Sequence, residues 1–134
     1  MAVAGGIIGD GACTMVITNC YNSGNIFVKK VSYGYAGGIA GRTQEQGTVR
    51  TLTMNRCYSN GMVTGEEITA NTILGAIGGS VDLLGVSQTY YNSKINNIPK
   101  ALRNKDYEQE GVMGIDKSFK DFNEFNEWIN HNNT

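Results

Sequence analysis

Side chains able to do chemistry are sparse in this sequence. Ahead of residue 94 the carboxylates are Asp10, Glu45, Glu66, Glu67 and Asp82, the only histidine is His131, and the cysteines number 3. Glycoside hydrolysis needs two carboxyl groups facing one groove, and lyase chemistry needs a base with a cation or metal beside it. Glu45 falls in the loop-like Thr43-Gln44-Glu45-Gln46-Gly47, and Glu66-Glu67 follow Met62-Val63-Thr64-Gly65. Solvated loop charge is the ordinary state of such acids. One remote histidine furnishes no Ser/His or Cys/His nucleophile, and no Cys-x-x-Cys or His-x-x-x-His spacing suggests a metal site. The glycine clusters suggest a phosphate loop, but Gly9-Asp10-Gly11 lacks the last glycine of a dinucleotide fingerprint and no Gly-Lys-Ser/Thr follows any cluster. The expectation is a non-enzymatic chain with no catalytic residue, metal or cofactor. Tyrosine remains. A glycan site needs an aromatic platform beside polar groups, and Tyr33 and Tyr35 are the candidate ligand-binding pair, with Tyr21 and Tyr58 as the other plausible platforms.

The elements that would hold these residues are repeats. Asn19-Cys20-Tyr21-Asn22-Ser23-Gly24-Asn25-Ile26 returns as Arg56-Cys57-Tyr58-Ser59-Asn60-Gly61-Met62-Val63, and a worn third copy reads Thr89-Tyr90-Tyr91-Asn92-Ser93-Lys94-Ile95. A second motif keeps step with it. Ala4-Gly5-Gly6-Ile7-Ile8-Gly9 recurs as Ala36-Gly37-Gly38-Ile39-Ala40-Gly41 and as Leu74-Gly75-Ala76-Ile77-Gly78-Gly79. Periods between 32 and 38 residues indicate a stacked array. Within each unit Met15 and Ile17, or Leu52 and Met54, alternate at the period of a strand. The pair Thr18-Asn19, or Asn55-Arg56, then shifts the phase as a bulge or corner would. Glycine costs a strand roughly 0.5–1 kcal/mol relative to alanine, so its recurrence implies close approach of backbone to backbone. Ile7, Ile39 and Ile77 are expected to stack inward, and Asn22, Ser59 and Asn92 to line up at one turn.

Stacking also places Cys20 against Cys57. In parallel layers the two backbones lie about 4.8 Å apart, within the range a disulfide spans. A buried thiol ladder is the main expectation, with the disulfide as its alternative.

Composition bounds the partners. The 134 residues fit one domain, and 11 basic against 12 acidic side chains leave a net charge of −1. No like-charge run marks a nucleic-acid or anionic-membrane surface, and no apolar stretch is long enough to span a bilayer. With 18 glycines and a single proline, the chain is dense in turns and reads as mainly β. A chain that enters a repeat motif directly after its methionine reads as a piece of a longer protein, its export signal and further repeats upstream.

From Lys94 the character changes. Residues 94–134 carry 13 of the 23 charged side chains and two of the glycines. The expected division is residues 1–93 as repeats and 94–134 as a capping segment, with a last edge strand over Gly111-Val112-Met113-Gly114-Ile115. Ser118-Phe119-Lys120-Asp121 reads as a capping box, opening a helix over about 118–130. On it Phe122, Phe125 and Ile129 fall within about 60° of each other, flanked by Phe119 and Trp128. This face is expected to close the open end of the array.

The paired motifs resemble the GLUG repeat family, whose units carry a Gly-Gly-Ile-x-Gly element followed by an Asn-Cys-Tyr-Asn-x-Gly turn. The likeness covers roughly residues 4–93 and rests on Gly5, Gly6, Ile7 and Gly9, on Gly37, Gly38, Ile39 and Gly41, on Gly75, Ile77 and Gly79, and on the Cys20-Tyr21 and Cys57-Tyr58 turns. Tyr90-Tyr91 is similar to the ending of the last unit in such arrays. Arg56 in place of Asn19, and Lys94 in place of the turn glycine, depart from the pattern. The resemblance implies a parallel β-solenoid from a secreted or surface-attached bacterial protein, often adhesin-like. The reading is therefore a right-handed parallel β-helix of about three coils with a C-terminal helical cap, serving as a stalk or adhesion module. Its expected partners are a glycan or a host cell-surface protein, upstream repeats of the same chain, or a second copy meeting the N-terminal coil. The alternative is a carbohydrate-binding or carbohydrate-processing β-helix.

Overall fold

The computed structural model describes residues 2–11, 14–29, 34–45, 48–49, 51–65, 72–95 and 111–132. Within these residues the protein is mainly β, with parallel strands gathered into five sheets, one short antiparallel pair and one C-terminal helix. Each parallel sheet collects the same segment from successive repeats, one of them adding a strand from beyond the repeats. Ala2–Gly5 pairs with Gly34–Gly37, which pairs with Thr72–Gly75; Ile8–Asp10 pairs in the same way with Ala40–Arg42, and that strand with Gly78–Ser80. Met15–Thr18, Thr51–Asn55 and Asp82–Ser87 form a third sheet. Tyr21–Asn22, Tyr58–Ser59, Thr89–Asn92 and Val112–Ile115 form a fourth, and Ile26–Val28 with Val63–Gly65 a fifth. Gln44–Glu45 and Thr48–Val49 make the antiparallel pair, so Glu45 sits in a short strand instead of a loop.

Alternation decides which side chains face inward. Leu52 and Met54 are completely buried with Thr51, Thr53 and Asn55 between them partly exposed, and Ile17 is buried while its neighbour Val16 is 71% exposed. The register stacks Ile17 on Met54 and Met54 on Val86. Ile39 and Ile77 join this interior, each burial contributing about 1.5–3 kcal/mol. Ile7 does not complete the expected isoleucine stack and is 43% exposed. It lies in the outermost layer, where among the described residues only the second repeat covers it. A smaller core forms where Ile26, Val28 and Val63 meet Ala36 and Leu74.

The corner expected after the third sheet's strands exists, with a common conformation in four layers. Asn19, Arg56 and Gln88 adopt φ of 53°, 56° and 46°, and Gly111 adopts 90°. The register places these four residues in one column, each two residues before the Tyr21, Tyr58, Tyr90 and Met113 column of the tyrosine-bearing sheet. Left-handed backbone at a non-glycine residue costs about 1–2 kcal/mol, and the next side chain helps to hold it. Cys20 Sγ donates to Thr18 O at 3.2 Å, Cys57 Sγ to Asn55 O at 3.3 Å and Thr89 Oγ1 to Ser87 O at 3.0 Å. One bond, from residue i to the carbonyl of i−2, thus recurs with sulfur twice and oxygen once. Cys20 and Cys57 are free thiols.

The third turn sits one residue off the motif alignment. Tyr21, Tyr58 and Tyr90 pair in one column and Asn22, Ser59 and Tyr91 in the next, so Asn92 does not follow Asn22 and Ser59. Its Nδ2 instead donates to Asn60 Oδ1 at 2.9 Å. Asn92 still closes the turn its motif predicts, because Oδ1 accepts from the Lys94 amide at 2.9 Å as Asn22 Oδ1 accepts from the Gly24 amide at 3.0 Å. The extra large residue, Tyr91, turns inward and packs with Val112.

Glycine has a steric cause at Gly37. A β-carbon there would run into the Ala40 carbonyl and stand 2.7 Å from Gly78 Cα, both backbone atoms. At Gly9, by contrast, a β-carbon would meet nothing within 4 Å. Gly37→Ala is expected to cost about 1–3 kcal/mol in urea unfolding, while Gly9→Ala is neutral or stabilising by up to about 1 kcal/mol. Equal effects at the two sites would contradict this packing.

Candidate functional site

Two surface regions gather side chains that the sequence marks for function. The first is built on the tyrosine column. Because neighbours alternate across a strand, Asn22, Ser59 and Tyr91 turn inward and Tyr21, Tyr58 and Tyr90 face the other way. Tyr21 and Tyr58 stack with ring centroids 5.7 Å apart and planes at 19°. Onto this face comes the C-terminal helix, Phe122–Asn132. It begins later than the expected residue 118. Asp121, not Ser118, is the N-cap, accepting through Oδ1 from the Glu124 amide at 3.0 Å. Ser118 is used elsewhere, accepting at 3.2 Å from Asn60 Nδ2.

The helix lies on the flank of the array. Its buried residues, Phe125 and Ile129, join Tyr58 and Phe119 in one cluster, with Tyr21, Tyr90, Ile115, Phe122 and Trp128 packed around it. These contacts reach all four strands of the tyrosine sheet. The physical reason is the outward aromatic column, which would otherwise stand in water and matches the helix's own aromatic stripe. Tyr58 meets Phe119 edge-on at 4.9 Å and Phe125 at 5.2 Å, and Tyr90 meets Trp128 edge-on at 5.2 Å. Such pairs contribute about 0.5–1.5 kcal/mol beyond area burial. The phenols are tied as well. Tyr21 donates to the Phe119 carbonyl and Tyr58 to the Lys117 carbonyl, both in the segment entering the helix. Arg56, in the left-handed corner, reaches Asn126 and, at 3.3 Å, Asn130. Tyr21 and Tyr58 are therefore helix-docking residues, and the ring of Tyr58 is wholly buried. Val112–Ile115 and the helix attach the charged C-terminal segment directly to the repeats.

Burial raises the ionisation of both phenols above the ordinary tyrosine range, with the neighbouring Tyr21 adding to the effect at Tyr58. Burial also pushes the Cys57 thiol up to about 11.

The second region lies where the first two sheets meet. Asp10 and Arg42 occupy the same register position in successive repeats. Arg42 Nη2 donates to Asp10 Oδ2 at 2.5 Å and Nε to Oδ1 at 3.2 Å, a two-pronged pair. The guanidinium carbon stands 5.6 Å from the centroid of the half-buried Tyr35 ring. Asp10 is 41% exposed, so the pair contributes at most about 1 kcal/mol. Chemically this is an aromatic plate beside fixed donors and acceptors. Tyr33, the expected companion of Tyr35, lies outside the described residues, as do Cys13, Glu66 and Glu67. Sequence reasoning placed Asp10 among solvated loop acids and did not use Arg42; their equivalent positions, 32 residues apart, were the available signal. Asp10 faces a guanidinium. Among the described residues no cluster of three or more His, Cys, Asp and Glu forms a metal-binding group, and no helix is long and apolar enough to cross a membrane.

No family model, curated protein or solved structure matches this chain. The fold and the two regions define a class at the level of architecture: a mainly-β repeat protein of parallel-paired strands whose C-terminal helix is docked on a tyrosine column.

Two outcomes follow from the helix dock. Phe125→Ala should lose about 3–5 kcal/mol in urea unfolding, whereas truncating exposed Phe27, 53% accessible, should change little. Because the folded-state ionisation of Tyr21 and Tyr58 is raised, their contribution is complete below the free tyrosine value of about 10 and is lost as pH rises beyond it. The urea midpoint should therefore fall above about pH 10, with two phenols resisting tyrosinate formation until the protein unfolds. Titration of every tyrosine at the free value, with no loss of stability, would remove this account.

Proposed function

We propose that this chain is a non-catalytic module of an exported bacterial surface protein, folded as a right-handed parallel β-solenoid and acting as a stalk or adhesive segment. The observation carrying the reading is that equivalent strands of successive repeats pair in parallel register, Val3 with Tyr35 and Tyr35 with Ile73 among them. An array of this kind grows by adding units and presents regular faces, which suits spacing or adhesion. The resemblance of the paired motifs to the GLUG repeats supplies the surface-protein context. On this reading the C-terminal helix covers an aromatic flank that a repeat array would otherwise expose.

A second reading, carbohydrate binding, is favoured by the Tyr35, Arg42 and Asp10 group, which combines an aromatic ring with oriented polar atoms. Arg42 already lies over the Tyr35 ring, so a sugar stacking on that face would first have to displace it. A glycan-array screen of the protein beside the Tyr33→Ala, Tyr35→Ala double variant separates the two. The stalk reading expects no specific glycan signal from folded protein. Specific binding that disappears in the variant, with its unfolding midpoint unchanged, would replace the stalk by a lectin-like module.

A further inference from the structure

Cys20 and Cys57 stand at the same position of neighbouring repeats, and several observations bring their sulfurs to one place. The flanking register is fixed by the pairing of Tyr21 with Tyr58 and by the Tyr58 amide donating to the Cys20 carbonyl at 3.0 Å. In-register parallel neighbours lie about 4.8 Å apart at the backbone, inside the Cα separation that a disulfide spans. Both side chains turn to the same side, Cys57 within the main core and Cys20 packed against that core. Cys57 Sγ also leans towards the first repeat, lying 3.7 Å from the Ile17 carbonyl. Cys20 is partly accessible where Cys57 is buried, so an external reagent meets Cys20 first.

We propose that Cys20 and Cys57 are a modification site, a dithiol that a small-molecule disulfide oxidises to a covalent bridge between the first two repeats. The step is thiol–disulfide exchange. The Cys20 thiolate attacks one sulfur of oxidised glutathione, forming a mixed disulfide and releasing one glutathione thiolate. The Cys57 sulfur then attacks the Cys20 sulfur and expels the second glutathione, the Cys57 proton passing to the departing glutathione sulfur. Two protein thiols become one disulfide and one molecule of oxidised glutathione becomes two of the reduced form. The bridge ties residues 37 positions apart. Thr89 holds the equivalent place in the third repeat and keeps the corner bond through a hydroxyl, so the redox pair is confined to the first two. The inference rests on register and side-chain placement and is independent of the stalk reading.

The test is incubation of the folded full chain with oxidised glutathione, followed by non-reducing peptide mapping. A Cys20 peptide joined to a Cys57 peptide, with a mass two hydrogens below their sum, is expected. In Cys57→Ser the glutathione adduct should remain on Cys20, and Cys13→Ser should still form the bridge. A bridge involving Cys13, a lasting Cys20 adduct beside a free Cys57 in the unaltered chain, or no reaction at either thiol would each overturn the proposal.

Discussion

Every paired position in the five parallel sheets has to tolerate its own counterpart one layer away. Parallel in-register pairing sets neighbouring layers about 4.8 Å apart, so a residue meets chiefly the equivalent residue of the next repeat. Columns follow from that constraint. Ile17, Met54 and Val86 make an apolar one, Tyr21, Tyr58 and Tyr90 an aromatic one, and Asn19, Arg56, Gln88 and Gly111 a left-handed one. Charge is admitted where the column alternates in sign, as with Asp10 beneath Arg42. Where the column cannot be filled comfortably, a defect remains. Ser59, in the place of Asn22, buries its hydroxyl without a hydrogen-bond partner, whereas Asn22 bridges to the Gly38 carbonyl at 2.9 Å.

The tyrosine column shows how a local rule produces tertiary structure. A strand with polar or small groups facing inward and tyrosines facing outward would leave a stripe of rings in water. The C-terminal segment resolves this twice. Val112–Ile115 extends the sheet by one strand, and the helix lays Phe125 and Ile129 over the stripe. The phenol groups, which the helix removes from solvent, find backbone carbonyls in the approach to the helix. Arg56 serves both systems, forming part of the left-handed corner and reaching the helix side chains.

Much of this was legible in the sequence. The glycine and cysteine-tyrosine motifs gave the repeat boundaries, the alternation of Leu52 and Met54 gave strands, and the phase change at Asn19 and Arg56 marked a corner that the backbone realises with positive φ. The last strand at Val112 and the aromatic stripe of the helix were also readable. Four features were not, and for physical reasons. Motif matching aligned Asn92 with Asn22 because both close the same local turn, whereas inter-strand hydrogen bonds set the register. Ser118 and Asp121 both satisfy a helix-start pattern, and the choice fell to Asp121 because Ser118 is engaged by Asn60. The helix's landing place depended on which way the tyrosines turn, and period-two alternation fixes that only once the register is known. Of the candidate ligand-binding pair, Tyr35 has Arg42 over its ring, and Arg42 is in turn paired with Asp10, its register partner 32 residues away in the preceding repeat.

The helix dock also bears on how the array comes apart. A stack in which each layer touches only its neighbours behaves as a one-dimensional chain and can fray from either end, layer by layer. Here a single side-chain cluster touches Tyr21, Tyr58, Tyr90 and Ile115 at once, linking four layers through one rigid body. Opening any of these layers at the tyrosine sheet disturbs contacts shared with the others. The tyrosine flank is therefore built to open as one cooperative unit, whereas the strands at Ile26–Val28 and Val63–Gly65 belong to a separate, smaller core with Ala36 and Leu74 and have no part in that cluster among the described residues.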